Sequence, residues 1–248
     1  MIHETRIVMG MPVTIAIVDD APAGLVDGVF GYFAEIDRRF SPFEPESEVS
    51  ALNRARPAPA GLSAEMDELL ALAERTKRET HGYFEIRRPD GRIDPSGIVK
   101  GWAIRNAARL IEAAGVRNFF VDAGGDIQSR GKNAEGKAWK AGIRNPFNER
   151  EIIKAVTPHG HGIATSGTYA RGRHIYDPFW PGRSIVEIVS LTVIGPDVLE
   201  ADRFSTAAFA MGRSGIYFVE DQPSLEGYAV DWNGVATQTT GFEAYIAS

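Results

Sequence analysis

The sequence predicts an α+β fold, on three observations. Short Val- and Ile-rich runs and amphipathic helical runs occur in mixed blocks and not in regular strand–helix–strand alternation. Glycine, asparagine and proline turn signals separate most of these runs. The 248 residues suffice for one sizeable core, so a single domain over 1–248, possibly two-lobed, is the economical organisation. No repeat or low-complexity segment interrupts it.

Taken in order, residues 6–19 (RIVMGMPVTIAIVD) read as a strand or hairpin broken at MGMP. Leu25, Val29, Tyr32, Phe33, Ile36 and Phe40 recur at helical spacing. SPFEPESEVSALN (41–53) is a loop running into a short helix. Ser63 is an N-cap residue for the next helix, with Glu65 and Asp67 in its first turn and Gly82 beyond its end. PDG (89–91) marks a turn. After it Val99, Trp102, Ala103, Ala107, Leu110, Ile111 and Ala114 lie on one helical face, closed by Gly115. NFFVDA (118–123) is a buried strand ending at Gly124-Gly125, and strand-like runs follow at 138–143, 151–157 and 185–194. A helix spans about 198–211, and YAVDWNGVATQT (228–239) is a hairpin turning at Asn233-Gly234.

Composition removes several classes of function. With no cysteine there is no disulfide, thiolate nucleophile or zinc–thiolate site. A net charge of −6 without a long basic run argues against a nucleic-acid surface. The first residues lack the basic-then-apolar pattern of an export signal, and no run approaches the roughly 20 apolar residues of a membrane helix. The expectation is a soluble, cytoplasmic chain with no transmembrane segment. GxGxxG, Walker A, HExxH and GxSxG patterns are also absent.

Four polar segments could carry chemistry. In DPSGIVKGWA (94–103), a helix start with Lys100 in its first turns is either an anion site or a capped helix with a snorkelling lysine. VDAGGDI (121–127) is either a plain hairpin turn or a close approach to a ligand, with Asp126 able to accept from a ribose or ribityl hydroxyl. IATSGTYARGRHIYDP (163–178) is either a surface loop or an active-site loop, in which His174 is the leading general-base candidate. EADRFSTAAFAMG (200–212) sets Asp202 and Thr206 four residues apart on one helix face. The pair reads as an N-cap and a back-bonded core threonine, or as two hard-oxygen ligands for Mg²⁺. HGH (159–161) reads as a polar loop in preference to a metal pair.

Together these segments, with MGMP, HGYFE (81–85), WKAGIRNP (139–146) and ATSG (164–167), resemble in order the ApbE family, the FAD:protein FMN transferases. The resemblance implies an α+β core of T-fold type. It implies Mg²⁺ held by the Gly97 carbonyl, Asp202 and Thr206. It also implies flavin contacts at Met9, Phe43, Tyr83, Phe84, Glu85, Asp94, Lys100 and Tyr176. The implied reaction moves FMN from FAD to a Ser or Thr hydroxyl of an acceptor protein and releases AMP, with Lys100 and Mg²⁺ neutralising phosphoryl charge and His174 taking the proton. An FAD pyrophosphatase using water, or a non-catalytic flavin carrier, are the alternatives. The chain departs from the family pattern at Phe43 for Tyr, Glu85 for Asp, Thr168 for Asp or Ser, at FWPG (179–182), and in a short 86–94 stretch.

Overall fold

The computed structural model describes residues 1–55, 61–167 and 175–247. Strands β1 (Ile2–Val8) and β2 (Met11–Ile17) form the expected hairpin, paired from Ile2↔Ile17 to Val8↔Met11. Its two-residue turn needs positive φ twice. Gly10 meets that freely at 68°, while Met9 adopts 54° at a cost of about 1–2 kcal/mol for a residue with a Cβ. Strands β3 (Phe119–Ala123) and β4 (Asp126–Arg130) are joined by Gly124-Gly125, both left-handed. β5 (Ala141–Asn145) and β6 (Asn148–Val156) form a separate two-stranded ribbon. With β7 (Gly162–Gly167), β8 (Ile188–Gly195), β9 (Glu226–Asp231) and β10 (Ala236–Gln238), the main sheet runs β1-β2-β3-β4-β7-β8-β9-β10, and each neighbouring pair is antiparallel.

Helices α1 (Leu25–Phe40), α2 (Glu48–Arg54), α3 (Ala64–Glu79) and α4 (Ser96–Ala113) precede β3, and α5 (Val198–Ala210) and α6 (Gly215–Glu220) follow β8. The α2, α3 and α5 starts are set by side chains. Ser47, Ser63 and Asp197 accept the N–H of Ser50, Met66 and Glu200, each cap contributing about 1 kcal/mol. α1, α3 and α4 bury Phe33, Phe40, Met66 and Ile104 against Val13, Ile15 and Val121 of β2 and β3. α5 and α6 cover β8 and β9 with Phe209 and Ile216. A third cluster joins Ile143 and Val156 of the ribbon to Tyr228, Val230 and Phe242 near the C-terminal end. No helix among the described residues is long and apolar enough to cross a membrane.

The structure amends four expectations. The buried face of α4 is wider than predicted, taking in Ile98, Ile104 and Ala108, while Leu110 is 44% exposed. Residues 163–167 are strand β7 and not loop, because they pair with β8 from Gly162↔Gly195 to Gly167↔Ser190. Asp202 does not cap α5; Asp197 does, and Asp202 lies a turn further in. Helix α6, too short for a periodicity signal, is additional.

Glycines test this packing. A Cβ on Gly162 would lie 1.9 Å from the Val198 nitrogen, so backbone and not a movable side chain obstructs it. Gly162→Ala is expected to destabilise by roughly 3 kcal/mol in urea unfolding. Gly28, inside α1 with nothing within 4 Å of such a Cβ, is the opposite case. Gly28→Ala should stabilise by about 0.5–1 kcal/mol, and equal effects at both sites would refute the packing described.

Candidate active site

The site begins where α4 crosses α5. A Cβ on Gly101 would sit 2.7 Å from the Asp202 Cβ and 3.0 Å from the Leu199 Cα, so the two helices meet at a distance only glycine permits. The Gly101 N–H donates to Asp202 Oδ2 at 2.8 Å. In a regular helix that donor would serve the Gly97 carbonyl, so Asp202 competes with Gly97 for it. Asp202 Oδ1 lies 3.3 Å from Lys100 Nζ, and Asp126 Oδ2 forms a closer ion pair with the same ammonium. The other Asp126 oxygen accepts the Thr165 N–H at 3.0 Å. Two buried carboxylates thus share one lysine, leaving a formal surplus of one negative charge. Burial pushes the Asp202 carboxyl above the usual carboxylate range. Lys100 pulls it down, Asp126 raises it further, and the Gly101 N–H lowers it.

This cluster forms the floor of a cleft of about 580 Å³. Gly97 and Thr206 meet side by side in its wall: a Cβ on Gly97 would lie 3.2 Å from Thr206 Cγ2 and 3.7 Å from Thr206 Oγ1. The β1–β2 turn contributes Gly10 and Met11, the β3–β4 turn Gly124 and Gly125, β5 Gly142 and Arg144, and β7 Ser166 and Gly167. Below the rim, Ser166 and Ser205 share a hydrogen bond at 3.0 Å, and Ser205 donates to the Asp202 carbonyl. Asp122 also lines the cleft and accepts the Gly125 N–H at 2.8 Å. Burial raises its pKa, the Gly125 N–H opposes this, Asp126 adds to it, and Arg144 and Lys100 oppose it.

Of the residues read from the sequence, Gly97, Lys100, Asp202 and Thr206 line this one cleft. Asp126 stands behind it, its oxygens directed at Lys100 and the Thr165 N–H and not at open space. Phe84 is buried beside Gly97, its Cε2 3.5 Å from the position of a Cβ there. Tyr83, half-buried, meets Phe179 edge-on at 5.0 Å. Glu85 holds Lys77 and accepts the Arg87 N–H at 2.7 Å. Asp94 accepts the Ser96 hydroxyl at 2.6 Å and N–H at 3.2 Å, ordering the start of α4. Met9 packs at the edge of the main core in its strained turn. The Tyr176 hydroxyl is buried with no hydrogen-bond partner among the described residues, beside a cavity of about 100 Å³, and burial raises its pKa. Phe43 is 84% exposed and outside the cleft lining. His174 and Thr168 lie outside the described residues. The HGH segment is a turn, its His161 Nδ1 3.0 Å from the Tyr245 hydroxyl.

Sequence reading missed Gly101, Asp122 and Arg144. Gly101 looks like a weak point in a helix, and Asp122 is one polar residue inside an apolar strand. For Arg144 the available signal was the Gly142 two residues earlier, the strand alternation that puts both on one face.

Comparison with known proteins identifies the family. Residues 9–88 and 85–229 match the ApbE family. The FAD:protein FMN transferase of Salmonella typhimurium is 37% identical over 145 residues, covering 54% of this chain and 41% of that protein. The Escherichia coli K12 protein of the same name is 35% identical over 179 residues, covering 67% of this chain and 51% of its own. The chain therefore spans about half the length of the curated relatives it matches. Among solved structures, the flavin transferase ApbE from Vibrio cholerae superposes with a TM-score of 0.88 at 22% identity over 99% of both chains. The ApbE protein of Thermotoga maritima gives 0.86 at 21% identity, covering 100% of this chain and 99% of that one. At those identities the likeness establishes the mixed α/β architecture with its antiparallel sheet, while the sequence match establishes descent: the chain belongs to the ApbE family.

Proposed function

We propose that this protein transfers FMN from FAD to a Ser or Thr hydroxyl of an acceptor protein, releasing AMP, with Mg²⁺ as cofactor. The observation that carries the reading is the oxygen set of Gly97, Thr206 and Asp202 on one wall of a cleft whose buried charges sum to a negative surplus. The matched proteins of Salmonella and Escherichia are named FAD:protein FMN transferases, which supports transfer of FMN from FAD to a protein.

The residues fit a hard divalent cation. A carboxylate, a hydroxyl and a backbone carbonyl offer only oxygen, the donor type Mg²⁺ takes. Among the described residues no group of three His, Asp or Glu is placed to hold a metal alone, which suits a cation that completes its shell with water and substrate phosphate. When bound, Mg²⁺ supplies positive charge against the phosphoryl oxygens. Asp202 and Thr206, one turn apart on α5, and Gly97 on α4 would hold it. In the proposed step the acceptor oxygen bonds to the FMN phosphorus, the pyrophosphate bridge breaks, and AMP leaves with the bridging oxygen. His174 is assigned the hydroxyl proton from the sequence alone. Lys100 has a different task from the one its sequence position suggests. Caught between Asp126 and Asp202, it pulls down the raised pKa of the buried Asp202 and holds that side chain in place beside the cleft.

Two predictions test this. Incubated with FAD, MgCl₂ and a flavin-acceptor domain, the protein should yield a fluorescent acceptor band and AMP, and EDTA should stop both. Asp202→Asn keeps the size of the side chain and a carbonyl for the Gly101 N–H. It should fold normally, lose the MgCl₂-induced rise in Tm, and turn over at least about 100-fold more slowly. AMP without a labelled acceptor would assign FAD hydrolysis instead, and FAD binding without AMP would make the protein a carrier.

Lys100→Met should cost about 3 kcal/mol at about pH 8, because it strands two buried carboxylates. Burial already holds the Asp202 carboxyl above its unfolded value, and without the ammonium that pulls it down it rises further. Protonation then favours the folded state, so the deficit should shrink at about pH 5 and grow as pH rises through the raised values. Urea unfolding at both pH values measures it, and a deficit independent of pH would show that Lys100 does not hold the acids.

A further inference from the structure

Four charged side chains among the described residues line the cleft: Lys100, Asp202, Asp122 and Arg144. Lys100 is committed to Asp126 and Asp202. Arg144 is in a different position. It is exposed, and its neighbouring acid is Asp122, on which it acts through space while Asp122 accepts the Gly125 N–H. The β5–β6 ladder shifts register on both sides of it, between Ile143 and Arg144 and between Arg144 and Asn145. Such irregularities turn a strand and re-aim a side chain, and they concentrate beside functional sites. Gly142 shares the cleft-facing side of β5, and a Cβ there would lie 2.7 Å from Ile152 Cδ1. The space beside Gly142 is thus taken by the Ile152 side chain, and, two residues on, the ribbon brings the Arg144 guanidinium to the cleft.

We infer that Arg144 grips the diphosphate of the dinucleotide, a part that the sequence assigned to Lys100. The inference rests on reading the cleft as an FAD site. A guanidinium fork matches two phosphate oxygens at once, and being permanently charged it needs no partner acid to stay so. Lys100 has two buried acids to balance and little net charge to offer outward. Arg144 lines the same cleft as Gly97 and Thr206, a place from which it can serve as the second cation of a phosphate clamp. Riboflavin has no diphosphate and would not feel this residue; FAD and ADP would.

The test compares wild type, Arg144→Ala and Arg144→Lys in equilibrium titrations with FAD, ADP and riboflavin, with MgCl₂ present. Loss of one charge-assisted, two-pronged contact should weaken FAD and ADP about tenfold or more in Arg144→Ala. Arg144→Lys should fall between, and riboflavin affinity should be unchanged. Added NaCl should weaken FAD binding to wild type more steeply than to Arg144→Ala. ADP affinity within about twofold of wild type in the alanine variant would overturn the assignment, as would an equal loss for riboflavin, which would mean that the ribbon had been disturbed. If ADP binding depends on Arg144 while FAD binds no better than ADP, the grip on diphosphate holds and the flavin reading falls.

Discussion

The close crossing of α4 and α5 at Gly101 is the constraint on which the candidate site depends. It brings the Leu199 backbone and the Asp202 side chain against a position with no Cβ. From that contact three consequences follow. Asp202 is held deep enough for burial to raise its pKa. It receives a backbone N–H at 2.8 Å, which fixes one carboxylate oxygen. The next turn of α5 then sets Thr206 against Gly97, one residue per turn along the same face. A glycine in a helix interior costs roughly 0.5–1 kcal/mol relative to alanine, so it persists where the absence of a side chain achieves something else.

The remaining walls are built by turns and not by helices. The Met9-Gly10 and Gly124-Gly125 turns lie at one end of adjacent strands, since β2 pairs with β3 from Val13↔Ala123 to Ile17↔Phe119. Gly124 takes Met11 Sδ at 3.1 Å from the position of a Cβ, so the two turns pack directly on each other. Met9 is the informative member. A strained φ on a residue that turns do not prefer is a cost carried by the fold, and the structure sets it in the turn that carries the cleft residues Gly10 and Met11. The sheet supplies rigidity, and the turns at its edge supply the approach to a ligand.

Much of the fold was legible because its signals are local. Helical spacing located α1 and α4, and Ser63 marked the start of α3 as an N-cap whose oxygen accepts within three residues. Strand β7 was obscured because its residues, Ala164-Thr165-Ser166-Gly167, resemble a polar loop in composition and become a strand only by pairing with β8 and β4. The Asp202 question could not be settled from its own helix. On that helix alone capping is the favoured reading, yet Asp197 is the cap, and Asp202 instead accepts the N–H of Gly101, 101 residues away. Lys100, read from its motif, lines the cleft, and its charge balance depends on Asp126, which no local pattern links to it. Family pattern supplied the long-range information that spacing lacks, and it did so for positions and not for electrostatics. Phe43 shows the limit: its aromatic character suggested stacking, while its 84% exposure places it away from the cleft lining.

Electrostatics then connects the parts. A buried ammonium with one acid would be balanced; with two it leaves a negative hole, costly unless a cation fills it. Among the described residues the acids share the cleft with Gly97 and Thr206, oxygen donors of the kind the proposed Mg²⁺ takes. A dianionic diphosphate brought to the same cleft would be repelled by the bare acids. Its approach requires both the cation in the hole and a separate positive group facing it. Lys100 cannot serve as that group without releasing an acid, whereas the ribbon holds Arg144 outside the buried cluster, where its charge is available. On the proposed reading, one cation held inward fixes the acids and one outward meets the substrate diphosphate, so metal and phosphate are expected to bind better together than either does alone.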